Sequence, residues 1–427
     1  MRKYYILLVV LVIGFAIVAA ALFFVSKSPA PTADVPSSPQ GFFSFFGRQL
    51  GFGDEPTTPG SEQPGVSVDE TRPAFRQRLA REGMIAVSND FISGITFTAS
   101  TTATTTSAGL LATTTLESAR FVDRKTGNIY DFSLETGDTK RLTNTTIPRI
   151  QEALFGVNGS AVALRYLADD NETIETYLAP LSTDLYASST ELVGSFLQQN
   201  IPSLAWSPTG AELSYVTITN TGATGRIANA NGTNARVIFS SPLTEWNIAW
   251  KTPDALLFTT NPSHYAPGTI ARVTPTGGKT HLLSGTRGLT ALANPSGSRI
   301  VYSFSDGSAT KLFVYDAGSR ESTALALTTL PEKCVWANDD NIICAIPNTL
   351  YEKLPDAWYQ NTVSFTDTFW MIDTATGLVT FLFDPQETSA GEDIDATQLS
   401  LSHDNTVLSF INKKDLRGWV ADLSEWF

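Results

Sequence analysis

The chain has 427 residues and a formal net charge of -13, with only 17% charged residues. Nucleic-acid binders need clustered Lys and Arg to displace counterions from phosphates, so we expect no nucleic-acid partner. Two cysteines and three isolated histidines are too few, and too widely spaced, for a zinc site, so we predict neither a metal nor a cofactor.

The amino terminus predicts a membrane anchor. Arg2 and Lys3 precede an apolar run over residues 4–25, which as a helix would be roughly 33 Å long and would span a bilayer core. A cleaved signal peptide is the alternative, but its apolar stretch is shorter. Residues 1–25 are therefore predicted to be a cytoplasmic tip and a transmembrane helix, and the positive-inside rule places the rest of the chain outside the cytoplasm.

A stalk is predicted over residues 26–80, because Pro, Ser and Gly dominate and cannot bury enough apolar surface to fold alone. Residues 41–52 interrupt this stretch with several phenylalanines. Aromatic rings of this kind lie in a membrane interface, or they dock on a folded domain or a partner. The sequence leaves both interpretations open.

Repeats dominate the remainder of the chain. The segment 204–210, Leu-Ala-Trp-Ser-Pro-Thr-Gly, reads as a short strand and a tight turn, and an alternating strand follows it. Similar segments recur at a period of about 43 residues, and this period with four short strands per unit is typical of β-propeller blades. The anchor positions are Phe155, Trp206, Trp250, Ala293, Trp336 and Leu401.

An earlier unit without an aromatic anchor begins near residue 94, which gives seven units, with eight or six as alternatives. The last unit lacks a fourth strand, whereas residues 84–87 form a spare strand ahead of the first unit. Pairing this spare strand with residues 418–422 would close the ring and remove an exposed sheet edge. We therefore predict an all-β chain whose residues 81–427 form a seven-bladed β-propeller.

The Trp-Ser-Pro-x-Gly signature of residues 206–210 and its weaker copies resemble the repeats of TolB-type and WD-repeat-like propellers. This resemblance extends over about residues 84–422. It implies a propeller fold and is compatible with scaffolds, receptors and, occasionally, enzyme domains.

One unit carries an aromatic insertion at residues 350–366, where its siblings have a short hairpin. Tyr and Trp side chains offer large contact area with a polar handle, so the insertion is predicted to contact a partner or to fold back and plug the central channel. Its topology places it on the face that carries the hairpins between second and third strands. The candidate binding residues are Tyr351, Trp358, Tyr359, Phe365, His264 and Tyr265.

No linear catalytic motif is present, and we predict no catalytic residue. The favoured function is a non-catalytic interaction or scaffold module, tethered to the cell membrane outside the cytoplasm, whose partner is an envelope protein or polymer. The alternative is a glycan hydrolase or lyase with carboxylates at the channel mouth, which would leave no linear motif.

The two cysteines are predicted to face each other across a hairpin. Opposed residues of an antiparallel hairpin have a constant index sum, and a turn centred on Asp339 pairs Cys334 with Cys344. Outside the cytoplasm such a pair can persist as a disulfide, while two buried free thiols are the alternative.

Overall fold

A computed structural model describes residues 72–105, 111–182, 189–307 and 309–427. Within these ranges no helix is long and apolar enough to cross a membrane. The predicted transmembrane helix and the phenylalanine-rich segment at residues 41–52 lie outside the described residues. The part of the chain that is described is built almost entirely from antiparallel β-sheet.

Consecutive strands form up-and-down sheets, each strand pairing with its neighbour in sequence. The first three sheets are β2–β5 (Ile92–Thr105, Leu111–Asp123, Ile129–Ser133, Thr139–Arg141), β6–β9 (Glu152–Phe155, Ala161–Leu167, Ile174–Pro180, Ser195–Phe196) and β10–β13 (Leu204–Trp206, Glu212–Thr219, Gly222–Asn229, Arg236–Ser241). The next sheet has seven strands, β14–β20: Trp246–Thr252, Ala255–Thr260, Pro267–Val273, Lys279–Ala293, Arg299–Ser305, Thr310–Asp316 and Ser322–Ala324. The last two are β21–β24 (Cys334–Trp336, Asn341–Pro347, Asp367–Asp373, Val379–Phe383) and β25–β27 (Ala396–Leu401, Val407–Asn412, Gly418–Asp422) with β1 (Met84–Ala86) at the edge.

The seven-stranded sheet is divided at its long strand β17. Residues 279–287 of β17 pair with β16, and residues 287–293 pair with β18. One strand thus ends one four-stranded group and begins the next. The repetition of four-stranded meanders confirms the predicted β-propeller.

The predicted closure of the ring is confirmed. Strand β1 pairs with β27, with Met84 opposite Ala421, Ile85 opposite Val420 and Ala86 opposite Trp419. The first described strand therefore completes the last sheet and covers the edge that β27 would otherwise expose.

Helix α1, Ala74–Glu82, precedes the closing strand. Its sequence is rich in good helix formers, and Gly83 ends it in a left-handed conformation, with its N–H donating to the carbonyl of Leu79. Phe75 and Leu79 share one helical face and are buried in the core of the first and last sheets. The boundary predicted at residue 80 therefore needs correction, because the folded unit already includes this helix.

The tryptophans that anchor the repeats pack between neighbouring sheets. Trp206 Nε1 donates to the carbonyl of Leu154 in β6 at 2.9 Å, and Trp336 Nε1 donates to the carbonyl of Leu292 in β17 at 3.4 Å. Each indole thus links the first strand of its own group to the first strand of the preceding one, so these rings stabilise the ring of sheets.

The turn residue four positions after each anchor has a positive φ at Gly159, Gly210, Gly297 and Asn405. At the corresponding positions Asp254 and Asp340 do not have a positive φ. An L-residue with a β-carbon avoids that conformation unless the turn requires it.

Strands β21 and β22 have the register that the index sum predicts. Cys334 lies opposite Cys344 and Trp336 opposite Ile342. The two sulfurs are joined in a disulfide, with Cα atoms 4.1 Å apart.

Candidate functional site on the insertion face

The insertion (residues 350–366) lies between β22 and β23 and contains the short helix α2, Asp356–Tyr359. Trp358 and Phe365 are 3% and 1% exposed, and with Leu330 and Leu354 they form a separate apolar cluster. Their interpretation as partner-contacting residues therefore needs correction: both are folded back into the protein. Burying these two rings offsets the cost of ordering a long loop.

The carboxylate of Asp395 holds the insertion in place. It accepts hydrogen bonds from Trp358 Nε1 at 3.0 Å, from Ser364 Oγ at 3.1 Å and from the Phe365 backbone N–H at 3.1 Å. Asp395 lies in the connection that enters β25, so the last sheet and the insertion are tied through one buried group. Donors converging on an ionised acceptor form the stronger class of hydrogen bonds.

A buried lysine completes this cluster. Lys333 Nζ lies 2.7 Å from Asp395 Oδ1 and 2.8 Å from Asp367 Oδ2, and it donates to the Ala396 carbonyl at 2.9 Å. The rings of Trp358 and Phe365 flank it at 5.1 and 5.0 Å. Burial raises the pKa of Asp367 to about 6, although the Lys333 ammonium lowers it. We name these three groups, Lys333, Asp367 and Asp395, the buried triad.

His264 and Tyr265 belong to the hairpin between β15 and β16, and the structure brings this hairpin against the insertion. The Asp356 carboxylate accepts from Ser263 Oγ at 3.0 Å and from the His264 backbone N–H at 2.5 Å. His264 Nδ1 lies 3.2 Å from Ser305 Oγ. The insertion and the β15–β16 hairpin are thus in contact through Asp356, which confirms the prediction that they lie on the same face.

Three aromatic side chains remain available to solvent on this face. Tyr265 is 64% exposed, Tyr351 is 42% exposed and Tyr359 is 38% exposed. We call them the tyrosine patch. The neighbouring hairpin between β26 and β27 contributes three cations, and each is already paired: Lys413 with the Trp358 carbonyl, Lys414 with Asp393 and Arg417 with Asp415 and Glu392.

A cavity of about 340 Å³ opens among strands of several sheets, and Glu152, Arg165, Asn247 and Glu332 are among the residues of its wall. Glu332 as a whole residue is exposed to solvent, although protein groups surround its carboxylate. Burial raises the pKa of its carboxyl group, and the Tyr359 hydroxyl, which donates to it, acts in the opposite direction. Through Tyr359 the insertion thus contacts one residue of the cavity wall.

Sequence reasoning missed the buried triad. Lys333 sits in Pro-Glu-Lys-Cys, and Asp367 and Asp395 are separated from it by 34 and 62 positions, so no local spacing relates them. The available signal was weak: an aspartate at the first position of a third strand and another ahead of a first strand.

No family model and no curated protein matches the chain. Similar solved structures include the β-propeller domain of the Trilobed protease from Pyrococcus furiosus, at 14% identity over 78% of this chain and 97% of that one, with a TM-score of 0.48. Oligogalacturonate lyase from Vibrio parahaemolyticus is 10% identical over 79% and 93%, with a TM-score of 0.49. TolB from Acinetobacter baumannii is 14% identical over 76% and 79%, with a TM-score of 0.39. At these values the likeness concerns the propeller architecture, and the fold assignment rests on the strand pairing above.

Proposed function

We propose that the chain is a seven-bladed, TolB-like propeller, tethered to the cell membrane and held outside the cytoplasm, that binds an envelope protein or polymer without catalysis. The observation that carries this proposal is the tyrosine patch. Tyr351 and Tyr359 lie on the insertion that Asp395 holds in place, and Tyr265 lies on the hairpin that contacts it. Exposed tyrosines on an ordered support are typical of binding surfaces, because little entropy is lost on contact.

Seven blades are supported by the shared strand β17. If its two halves are assigned to different blades, the sheets divide into seven four-stranded groups, with β1 supplying the last strand.

The proposed location rests on the apolar run at residues 4–25 and on the cysteine pair. We expect neither Cys334 nor Cys344 to be alkylated in protein recovered from membranes, denatured and treated without reduction. Both are expected to react after reduction, because an oxidising compartment preserves the bond. Denaturation is necessary because both side chains are buried. Full labelling before reduction would contradict an extracytoplasmic propeller.

Replacing both Tyr265 and Tyr351 with Ser is expected to weaken binding of the partner about tenfold, which corresponds to about 1.4 kcal/mol. The fragment that begins at residue 72 can be immobilised and exposed separately to solubilised envelope proteins and to envelope polysaccharide. Leu378→Ser is the matched control, since Leu378 is an exposed apolar residue in the turn between β23 and β24, on the opposite face. Equal capture by the double variant and the control would contradict the proposal.

The cavity supports the alternative function, because Glu152 and Glu332 both line it and two carboxylates are the groups a glycan hydrolase requires. In the same capture experiment an enzyme would release its glycan as shorter products. Retention of an unchanged ligand favours the binding module.

A further inference from the structure

The buried triad places an amine, a carboxyl group and a second carboxylate within hydrogen-bond distance of one another, in a pocket closed to solvent. The side chains of Lys333, Asp367 and Asp395 are fully buried from solvent. Trp358 and Phe365 close the pocket on the side of the insertion. We propose that Lys333 and Asp367 condense spontaneously into an intramolecular isopeptide bond, with Asp395 as the base.

Each role rests on a contact. Lys333 Nζ is the nucleophile and lies 2.8 Å from Asp367 Oδ2. Asp395 Oδ1, at 2.7 Å from the same nitrogen, is placed to accept its proton. A desolvated lysine beside a base is an activated nucleophile.

The electrophile is defined by the two oxygens of Asp367. Oδ2 accepts the backbone N–H of Ala396 at 2.7 Å, and this donor can stabilise the negative charge that develops on that oxygen during attack. Oδ1 is buried and has no hydrogen-bond partner. An unsatisfied buried oxygen is costly as an anion and fits a protonated hydroxyl, the leaving group that condensation requires.

The step conserves atoms and charge. The Lys333 ammonium gives one proton to Asp395, and the neutral nitrogen attacks Cγ of the protonated Asp367 carboxyl group. The C–N bond forms and the C–Oδ1 bond breaks. A second proton from the nitrogen passes to the departing hydroxyl group, and one water leaves. Asp395 ends protonated, the amide is neutral, and no oxidant or reductant is consumed.

The environment favours this reaction over a permanent ion pair. Burial raises the pKa of Asp367 to about 6, so the protonated form is accessible near neutral pH. Three buried charges with two of the same sign are unfavourable in a low-dielectric site. Uptake of one proton by Asp367 removes one of these charges, and condensation then removes the other two. Bond formation is therefore expected to be faster at about pH 5 than at about pH 8, because the protonated fraction of Asp367 falls as the pH rises through its pKa.

The bond would join the segment before β21 to the start of β23, next to the insertion. Lys333 directly precedes β21, and Asp367 begins β23 immediately after the insertion. A covalent link between them fixes the base of the insertion, which carries Tyr351 and Tyr359.

Intact mass spectrometry of the reduced full-length chain tests the inference. The wild-type chain is expected to be lighter than its sequence mass by one water, and a protease digest should yield a branched peptide that joins residues 333 and 367. Lys333→Met removes the nucleophile and should restore the sequence mass. Asp395→Asn keeps the volume but removes the base, and should largely abolish the loss while circular dichroism still reports the β-sheet.

A wild-type chain that is folded and has its full sequence mass overturns the proposal. Dehydration that persists in Lys333→Met overturns it as well, since the Asp306-Gly307 step is an alternative source of lost water. A branched peptide joined at Asp395 instead would refute Asp367 as the electrophile.

Discussion

Removal of residues 72–87 is expected to destabilise the folded propeller strongly. This segment contributes Phe75, Leu79, Met84 and Val87 to the buried core. Truncating one such side chain costs about 2–5 kcal/mol, so losing four exceeds much of the 5–15 kcal/mol by which a domain of this kind is typically stable. The backbone hydrogen bonds between β1 and β27 are lost as well. Urea unfolding of fragments that begin at residues 72, 84 and 88 measures the effect.

The intermediate fragment separates the helix from the strand. A chain that begins at residue 84 keeps β1 but loses α1, including the ion pairs that join Arg76 to Glu117 and Asp404. Its urea midpoint should fall between those of the other two. Within the longest fragment, Phe75→Ala should cost about 3–5 kcal/mol. Arg78→Ala should leave the free energy of unfolding nearly unchanged, because Arg78 is an exposed residue of the same helix. Identical midpoints for the fragments that begin at 72 and 88 would contradict closure by β1.

Trp358→Ala is expected to destabilise the protein by about 3–5 kcal/mol and to release the insertion. The indole packs in the cluster with Leu330, Leu354 and Phe365, and its N–H is one of the donors to the Asp395 carboxylate. Chemical denaturation gives the free energy of unfolding, and limited proteolysis within residues 350–366 reports whether the insertion has opened.

Two further variants separate packing from hydrogen bonding. Trp358→Phe keeps an aromatic ring and removes the donor to a buried carboxylate, so about 1.5–3 kcal/mol should be lost. Tyr265→Ala, at an exposed position on the same face, should change the free energy of unfolding by less than about 0.5 kcal/mol. If Trp358→Ala behaved like Tyr265→Ala, the insertion would not depend on its buried ring.

Local patterns sufficed where one residue type decides a short-range geometry. The Trp-Ser-Pro-x-Gly repeat predicted the first strands and their turns, because an indole fits between adjacent sheets and glycine permits a positive φ. The missing fourth strand of the last unit predicted the pairing of β1 with β27. The index sum predicted the register that sets Cys334 opposite Cys344, because the position of the turn fixes which residues of an antiparallel hairpin are opposed.

The sequence alone determined the repeat, the closure and the face that carries the insertion, since each depends on residues close in the chain or on the order of strands. Tertiary structure decided the rest. Composition placed residues 74–80 in a stalk, but burial of Phe75 and Leu79 between the first and last sheets makes them part of the fold. Likewise, the sequence was compatible with either an exposed or a buried Trp358. In the structure Asp395, 37 positions away, provides a buried acceptor for the indole N–H, and the ring is buried. The fold also brings Lys333 next to the carboxylates of Asp367 and Asp395, which are distant from it in the sequence. Such contacts depend on long-range packing, which no local pattern of residues encodes.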